Sequence, residues 1–531
     1  MFNQEIHRKF FLFFLLLFSV GLSFGKLLMS ISIIGLFVNW LLEGKFKEKR
    51  RLLTQNNNRT IFLIAVFFLE IVWVVFSDNY TNSFNSLRIK LPIIVLPLVL
   101  GTTPLLNAKE WKWLIFTFLS ALISSTGITL LVKHGIIEPK NHTNSTRDLS
   151  IFMSHIRYST LLAIGFFISI YLFVVKKTNL ILTLILSAAF LFTIYQINSF
   201  TTYIGIALSL IYLIGYFFIK IKSTLKVYIV LTALIFSTLS IIYVLRVYHD
   251  FNNPKKVQIN SDLPMLTAEG NAYFHDTLDL TLENGYYLWR NIAEQELLTK
   301  WNKRSHISFE GLDKKGQEIK YTLYRYLTSK GLKKDANGLA QLGNKEIQLI
   351  ESGETTALDY NLFEKRLRAI FFELEQYKQS NDPNNQTLTQ RFIYWKTAIS
   401  CIKKEMLFGH GTGGYKSAVR SEYISSPFNL SSKNQKYPHN QLLTQLINMG
   451  IIGFMLWFFC LIFPIHQSKI YNNPMFVVFS LLMVVSLLSD DMFERQAGVC
   501  IFIFFYTLFI TQSEIIKSDY FRLNRILNRS S

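Results

Sequence analysis

Long apolar blocks separated by short polar connections make up most of the chain. Each block approaches the roughly 20 residues that a helix needs to cross about 30 Å of hydrocarbon. Because a backbone in lipid must satisfy its own hydrogen bonds, we predict that these blocks are helices. The pattern predicts an all-α polytopic membrane protein with about 12 transmembrane helices, at 10–25, 27–42, 60–76, 88–101, 112–132, 159–175, 180–197, 202–219, 227–245, 441–463, 474–489 and 496–512.

Basic residues concentrate in alternate connections between these blocks. By the positive-inside rule these connections face the cytoplasm, and both termini lie on the same side. They carry Lys45, Lys47, Lys49, Arg50, Arg51 and Arg59; Lys109 and Lys112; Lys176 and Lys177; Lys220, Lys222 and Lys226; and Lys517, Arg522, Arg525 and Arg529.

The spacing of the blocks divides the chain into four parts. We predict a first transmembrane bundle of about nine spans at 1–245, a large and mainly helical outer loop domain at 246–440, three last spans at 441–512 and a cytoplasmic tail at 513–531. Within the loop domain, the patterns at 276–302 and 360–379 predict helices, the second with Glu364 and Arg368 placed for an ion pair.

Composition supports a membrane protein. Half of the residues are apolar and only 17% are charged, whereas a soluble protein has about a quarter charged. The net charge of +20 does not indicate nucleic-acid binding, because the basic residues lie in short loops and form no compact basic domain. Cys401, Cys460 and Cys500 show no disulfide or metal-ligand spacing, so we predict no metal and no cofactor.

Polar residues with chemical potential gather where the loop domain re-enters the membrane. Arg391 and Trp395 precede a glycine-rich stretch that contains Gly411 and Gly413. Backbone amides of such a stretch can bind an anion, although a plain turn is the commoner role of glycine.

Two residues at the start of the tenth span admit two interpretations. The His439 imidazole titrates near neutral pH and could take a proton from a hydroxyl. Alternatively Asn440 caps the helix and His439 lies beside the cap.

Other charged residues lie at the predicted outer ends of spans. Arg88, Lys90 and Arg157 could each be an interfacial side chain, but several cations near one histidine suit a leaving diphosphate. A second group contains Asp490, Asp491, Glu494 and Arg495. We expect a structural ion pair there, with a divalent-metal site on Asp490 and Asp491 as the alternative.

Four motifs lie between 391 and 453: Arg391-x-x-x-Trp395, Phe408-Gly409-His410-Gly411-Thr412-Gly413, His439-Asn440-Gln441 and Gly450-x-x-Gly453. Together with the layout of spans and late outer loop, they resemble the O-antigen ligase and O-antigen polymerase superfamily. Phrases in the loop domain, such as Arg325-Tyr326-Leu327-Thr328-Ser329, resemble its Bacteroidetes-type branch.

The resemblance implies a metal-independent, inverting glycosyltransferase in the bacterial inner membrane, with the loop domain in the periplasm. Its donor would be a glycan on undecaprenyl diphosphate, and its acceptor a glycan, the lipid A core or a protein. By motif, His439 would be the base, Arg391 a diphosphate contact and Arg157 a second contact. Arg88, Lys90, Trp395, Gly411, Gly413 and Asn440 complete the expected substrate-binding set.

The chain departs from the family pattern at 198–203. Many ligases have a Ser-Arg pair there, and this stretch holds no arginine, so Arg157 or Arg88 would have to supply that charge. Met406 also replaces a proline that is usual before the glycine turn.

Three other functions are compatible with the layout. A polymerase would use the same donor with a second lipid-linked glycan as acceptor. A transporter or flippase is a different class, but the two halves of the chain do not match and the polar residues gather at one rim instead of the midplane. A membrane sensor would need an output domain larger than the tail 513–531.

Overall fold

The fold is described from a computed structural model that places residues 3–55, 59–137, 149–218, 223–253, 263–384, 387–425 and 430–512. The predicted tail 513–531 therefore lies outside the described residues.

Apolar helices coincide with eleven of the twelve predicted membrane segments, all but 227–245. Nine helical stretches among the described residues are long and apolar enough to span a membrane, and two shorter apolar helices follow near the end of the chain. The protein is a polytopic helical membrane protein. In chain order the helices before the loop domain are α1 Gln4–Phe24, α2 Lys26–Glu43, α3 Phe46–Gln55, α4 Arg59–Val72 with a 3-10 turn Trp73–Phe76, α5 Tyr80–Lys90, α6 Pro92–Thr102, α7 Ala108–Lys133, α8 His155–Val174, α9 Leu180–Ile197, α10 Phe200–Phe218 and α11 Ser223–Asn252.

The α8 helix lies at the centre of the bundle. Most of its residues are buried, from Ile156 to Ser169. It packs against α9, α10 and α20 (Pro474–Ser489). Arg157 lies in the first turn of α8. Its guanidinium is therefore at the end of this central helix, at one edge of the membrane region.

The region between α11 and the last spans has its own hydrophobic core. Its elements are β1 Leu282–Glu283, β2 Tyr286–Tyr287, α12 Glu294–Trp301, α13 Ile319–Ser329, α14 Ala336–Ala340, α15 Asn344–Glu351, α16 Leu362–Ser380, α17 Thr387–Lys404 and α18 Tyr415–Ser425. Trp301, Leu323 and Leu327 are fully buried at the centre of this core.

The helix predicted at 276–302 is wrong over most of its length. Only Glu294–Trp301 is helical, and β1 and β2 form a hairpin before it. The cause is the Asn284-Gly285 pair, which adopts φ of 52° and 82°. Two successive positive φ angles are those of a type I′ hairpin turn, which Asn-Gly favours. The second predicted helix is confirmed as Leu362–Ser380, with Arg368 Nε 2.9 Å from Glu364 Oε1.

Three apolar helices follow: α19 Gln441–Ser468, α20 Pro474–Ser489 and α21 Gln496–Thr511. The α19 helix is interrupted at Gly450, whose φ is 61°. The amides freed by this break donate elsewhere: Ile451 N to Met406 O at 2.9 Å and Ile452 N to Leu407 O at 3.1 Å. The break thus joins α19 to the segment that follows α17.

Candidate functional site

Polar side chains from distant parts of the sequence meet at one end of the bundle. The start of α19, the start of α8 and the α20–α21 connection all contribute to this group. We call it the polar cluster; it contains Glu70, Lys90, Arg157, His439, Asp490, Asp491 and Glu494.

Asp490 connects Arg157 with His439. Its Oδ2 atom lies 2.6 Å from Arg157 Nη2, and its Oδ1 atom lies 4.0 Å from His439 Nδ1. Burial acts to raise the pKa of Asp490, but His439 and Arg157 outweigh that effect, so its pKa lies below its ordinary value. The carboxylate is therefore ionised at neutral pH. The His439 side chain is 38% exposed, so the imidazole is accessible from outside the protein.

Asp491 fixes the backbone at His439. Its carboxylate accepts hydrogen bonds from the backbone amides of His439 at 3.1 Å and Asn440 at 3.2 Å, and from Thr444 Oγ1 at 2.6 Å. His439 has a φ of 49°, a conformation that costs free energy in a residue other than glycine and that clusters at functional sites. Asp491 holds the backbone in this conformation.

A buried ion triad lies beside this pair of aspartates. Lys90 Nζ is 2.8 Å from Glu70 Oε1 and 3.4 Å from Glu494 Oε1, with all three side chains almost fully buried. Gln445 Nε2 also donates to Glu70 Oε1 at 2.9 Å. Buried charges are stable only when paired. Lys90 is thus paired as a structural cation, and its predicted role in substrate binding stays a prediction.

Arg391 lies near the same end of the site, on α17. Tyr394, one turn later on that helix, has its ring centroid 6.1 Å from that of His439. Burial raises the pKa of Tyr394 to about 12, against the opposing effect of the Arg391 charge. Arg391 precedes Tyr394 by three residues, so the two residues share the face of α17 that meets His439. Trp395 is half-buried on α17, and its Nε1 atom is buried without a hydrogen-bond partner in the described part of the chain.

The glycine turn has a packing role. Gly411 has a φ of 76° and Gly413 a φ of 77°, and both are buried. A Cβ atom on Gly411 would overlap the backbone of Phe76 and Ser77, and one on Gly413 would meet the carbonyl of Asn82. This close backbone packing gives both glycines a structural role, and their predicted contact with substrate stays a prediction.

Trp73 ties the same turn to α19. Its Nε1 atom donates to Phe408 O at 2.8 Å and to Met449 O at 3.0 Å. A Cβ atom on Gly453 would also come too close to the Trp73 ring. The glycines of α19 and of the glycine turn therefore allow close approach of three segments: the turn that begins at Trp73, the glycine turn and α19.

The remaining predicted residues take different positions. Asn440 caps α19, accepting from the amides of Leu442 at 3.1 Å and Leu443 at 3.3 Å, so its side-chain oxygen serves the helix. Arg88 is exposed on α5, and no ion pair with it occurs within the described ranges.

The predicted ion pair of Arg495 is also corrected. Among the residues that the structure places, its acidic neighbours pair elsewhere, Asp490 with Arg157 and Glu494 with Lys90. Of the two candidates for the charge missing at 198–203, Arg157 belongs to the helix that contacts this stretch, since Ser159 Oγ on that helix is 2.6 Å from Thr202 Oγ1.

The roles of Glu70 and Tyr394 and the proximity of Asp490 to His439 were not predicted. An acidic residue within an apolar block signals a functional or paired charge, so Glu70 could have been found. The partner of His439 could not, because 51 positions and two apolar helices separate it from Asp490 along the chain.

Comparison with known proteins gives two findings. The family described as O-Antigen ligase matches residues 350–458. This segment includes Arg391, the glycine turn, His439 and the break at Gly450. An uncharacterized protein from Haemophilus influenzae is 30% identical over 121 residues, which is 22% of this chain and 30% of that relative. The match therefore spans less than a third of the relative.

Proposed function

We propose, because residues 350–458 match the O-antigen ligase family, that this membrane protein is a glycosyltransferase of surface polysaccharide biosynthesis. In this proposal the donor is a glycan on undecaprenyl diphosphate, and the acceptor is a hydroxyl group of a glycan, a lipid A core or a protein. The reaction takes place on the predicted periplasmic side.

The arrangement of Arg157, Asp490 and His439 carries this proposal. The Asp490 carboxylate faces Nδ1 of His439, which favours the proton on that nitrogen and leaves Nε2 to accept one. A base held by a third group in this way can remove the proton of an attacking hydroxyl. The 4.0 Å separation exceeds a hydrogen bond, and such contacts often tighten only when substrate binds.

The reaction forms one bond and breaks one bond. The acceptor oxygen attacks the anomeric carbon while Nε2 of His439 takes its proton. The bond between the anomeric carbon and the diphosphate oxygen breaks, and the electron pair leaves with the lipid diphosphate. Attack from the face opposite the leaving group inverts the anomeric configuration.

Arginines would stabilise the charge that develops on the leaving diphosphate. Arg391 is our first choice, since it belongs to the segment that matches the family and lies one helical turn before Tyr394, whose ring centroid is 6.1 Å from that of His439. Arg157 is partly neutralised by Asp490, but its buried Nε atom has no hydrogen-bond partner among the described residues. A planar guanidinium with an unused donor can still contact a phosphate oxygen.

We propose that transfer requires neither a nucleotide nor a divalent metal. A diphosphate leaving group carries its own activation, so the protein must supply only cations and one base. Asp490 and Asp491 already serve Arg157 and the backbone at His439–Asn440, which argues against the alternative of a metal on these two carboxylates.

Deleting the gene and analysing the surface glycan tests the proposal. Loss of the surface glycan, with accumulation of its lipid-linked form, is expected, and the wild-type gene but not His439→Ala should restore it. Single-repeat chains on the acceptor would point to the polymerase instead. An unchanged surface glycan with intact lipid-linked pools would refute both transferase assignments.

A further inference from the structure

A cavity of about 420 Å³ lies in the loop domain, away from the polar cluster in the sequence and built from other elements. This volume is in the lower part of the roughly 300–1,000 Å³ range of small-molecule sites. Its lining includes Phe274, Trp289, Tyr321 and Tyr324 together with Glu294 and Lys320. None of these residues takes part in the proposed transfer step.

The aromatic rings of the cavity form a rigid, angular surface. The Trp289 ring is 6.0 Å from Tyr321 at 79° and 6.4 Å from Tyr324 at 90°. Edge-to-face contacts of this kind hold each ring in place. Tryptophan and tyrosine also present large amphipathic area while losing little conformational entropy on binding. The surface is thus already formed before any ligand arrives.

Polar groups stand beside these rings. Glu294 is exposed and its carboxylate accepts a hydrogen bond from Tyr324 Oη at 2.9 Å, while the Lys320 ammonium lies 5.0 Å from the Tyr321 ring. One side of the ligand would thus meet apolar ring faces, and another side would meet an acceptor and a cationic donor. A purely apolar ligand would make no use of these polar groups, and an anion would be repelled by Glu294.

A sugar ring satisfies both requirements. A pyranose presents a face of C–H groups, which packs on an aromatic ring, and hydroxyl groups around its edge, which donate to a carboxylate and accept from an ammonium. Such a sugar is neutral and polyhydroxylated, and a short stretch of a glycan chain suits the volume of the cavity.

We propose that this cavity binds a segment of the glycan that the enzyme transfers or extends. The identity of that glycan rests on the proposed function, whereas the binding chemistry does not. A second attachment point would raise the local concentration of the glycan chain at the membrane surface. It would also let the loop domain select among glycans by a part of the chain remote from the reacting carbon.

Variants at the rim test this without disturbing the core of the domain. The Phe274 side chain is 61% exposed, so Phe274→Ala should fold normally, and Tyr321→Ala removes a half-buried ring. Phe363→Ala is the matched control, since Phe363 is 55% exposed in the same domain and does not line the cavity. Thermal unfolding of each variant separates lost binding from lost folding.

The experiment uses the full chain in lipid nanodiscs and titrates it with the oligosaccharide released by mild acid from the host's lipid-linked glycan, followed by calorimetry. Saturable binding is expected, weakened about tenfold by Phe274→Ala and by Tyr321→Ala and unchanged by Phe363→Ala. No binding by the wild type, or equal binding by all variants, would overturn the inference.

A parallel titration of His439→Ala distinguishes this inference from the proposed function. If both proteins bind the oligosaccharide but the wild type transfers no glycan, the cavity assignment stands and the transferase assignment fails. Transfer by the wild type with no dependence of binding on Phe274 or Tyr321 would remove the cavity assignment alone.

Discussion

The Oδ1 atom of Asp490 lies 4.0 Å from Nδ1 of His439. The two residues belong to different connections of the bundle, and each is held independently. Asp490 is anchored by Arg157, and the backbone of His439 is anchored by Asp491. The accessible imidazole of His439 therefore lies beside an ionised carboxylate. The backbone of His439 is held in an unfavourable conformation by Asp491. This arrangement makes the chemical role of His439 testable.

Replacing His439 by alanine should reduce turnover and leave donor binding intact. Loss of a general base typically costs about 10²–10⁴-fold in rate. The arginines near the site are unchanged in this variant, so the affinity for the lipid-linked donor should stay within a factor of about two. The measurement is transfer rate and donor affinity in nanodiscs at matched protein amounts. Near-normal turnover would eliminate His439 as the base.

Replacing Arg391 by alanine should weaken donor affinity as well as turnover. A charged contact to a phosphate contributes about 1.5–3 kcal/mol, which is about 10–100-fold in affinity. Arg391→Lys should recover little if the contact is a bidentate fork. The control is Lys396→Ala, which removes an exposed cation from the same helix. Equal effects of the two alanine variants would indicate general electrostatic attraction instead of a specific contact.

The spans were predictable because lipid imposes one simple rule on the sequence. A block such as 159–175 had to be a helix, and α8 at His155–Val174 confirms it. In the loop domain, local turn preferences determined the secondary structure. The Asn284-Gly285 turn prevented a helix where the apolar pattern around it predicted one. A pattern of apolar positions does not reveal which short turn interrupts it.

The site was predictable only in part, for a different physical reason. The motifs singled out Arg391 and His439, but they did not indicate that Lys90 would be buried between two glutamates. The motifs likewise did not indicate that Gly411 and Gly413 pack against the backbone of the segment 76–83. Partners supplied by distant helices are a property of the packed bundle.

Replacing Gly411 by alanine should lower stability. Its φ of 76° is unfavourable for alanine, and the added methyl group would overlap the backbone of Ser77. Strain and overpacking together should cost about 2 kcal/mol or more. Gly127→Ala in α7 is the control, because no atom lies within 4 Å of a Cβ added there. Thermal unfolding in detergent and membrane abundance are the measurements. A stable Gly411→Ala that has lost donor affinity would restore the ligand-binding role.

A cysteine at position 278 should react with a membrane-impermeant thiol reagent once the outer membrane is permeabilised. Leu278 is 93% exposed in the loop domain, and we predict that this domain is periplasmic. Lys47→Cys, in a predicted cytoplasmic connection, should react only after the inner membrane is broken. The three natural cysteines are buried, so background labelling should be low. The reverse pattern would invert the topology.

Replacing Asp490 by asparagine tests whether this carboxylate positions and polarises His439 or merely pairs with Arg157. The substitution keeps the size of the side chain and removes a negative charge 4.0 Å from Nδ1. Turnover should fall by about 10²-fold, because the imidazole loses the group that orients it. Asp490→Glu, which retains the charge, should recover part of the lost turnover. Because the variant also leaves the Arg157 guanidinium unpaired, thermal unfolding is measured alongside. A drop in thermal stability with unchanged turnover would show that Asp490 serves Arg157 alone.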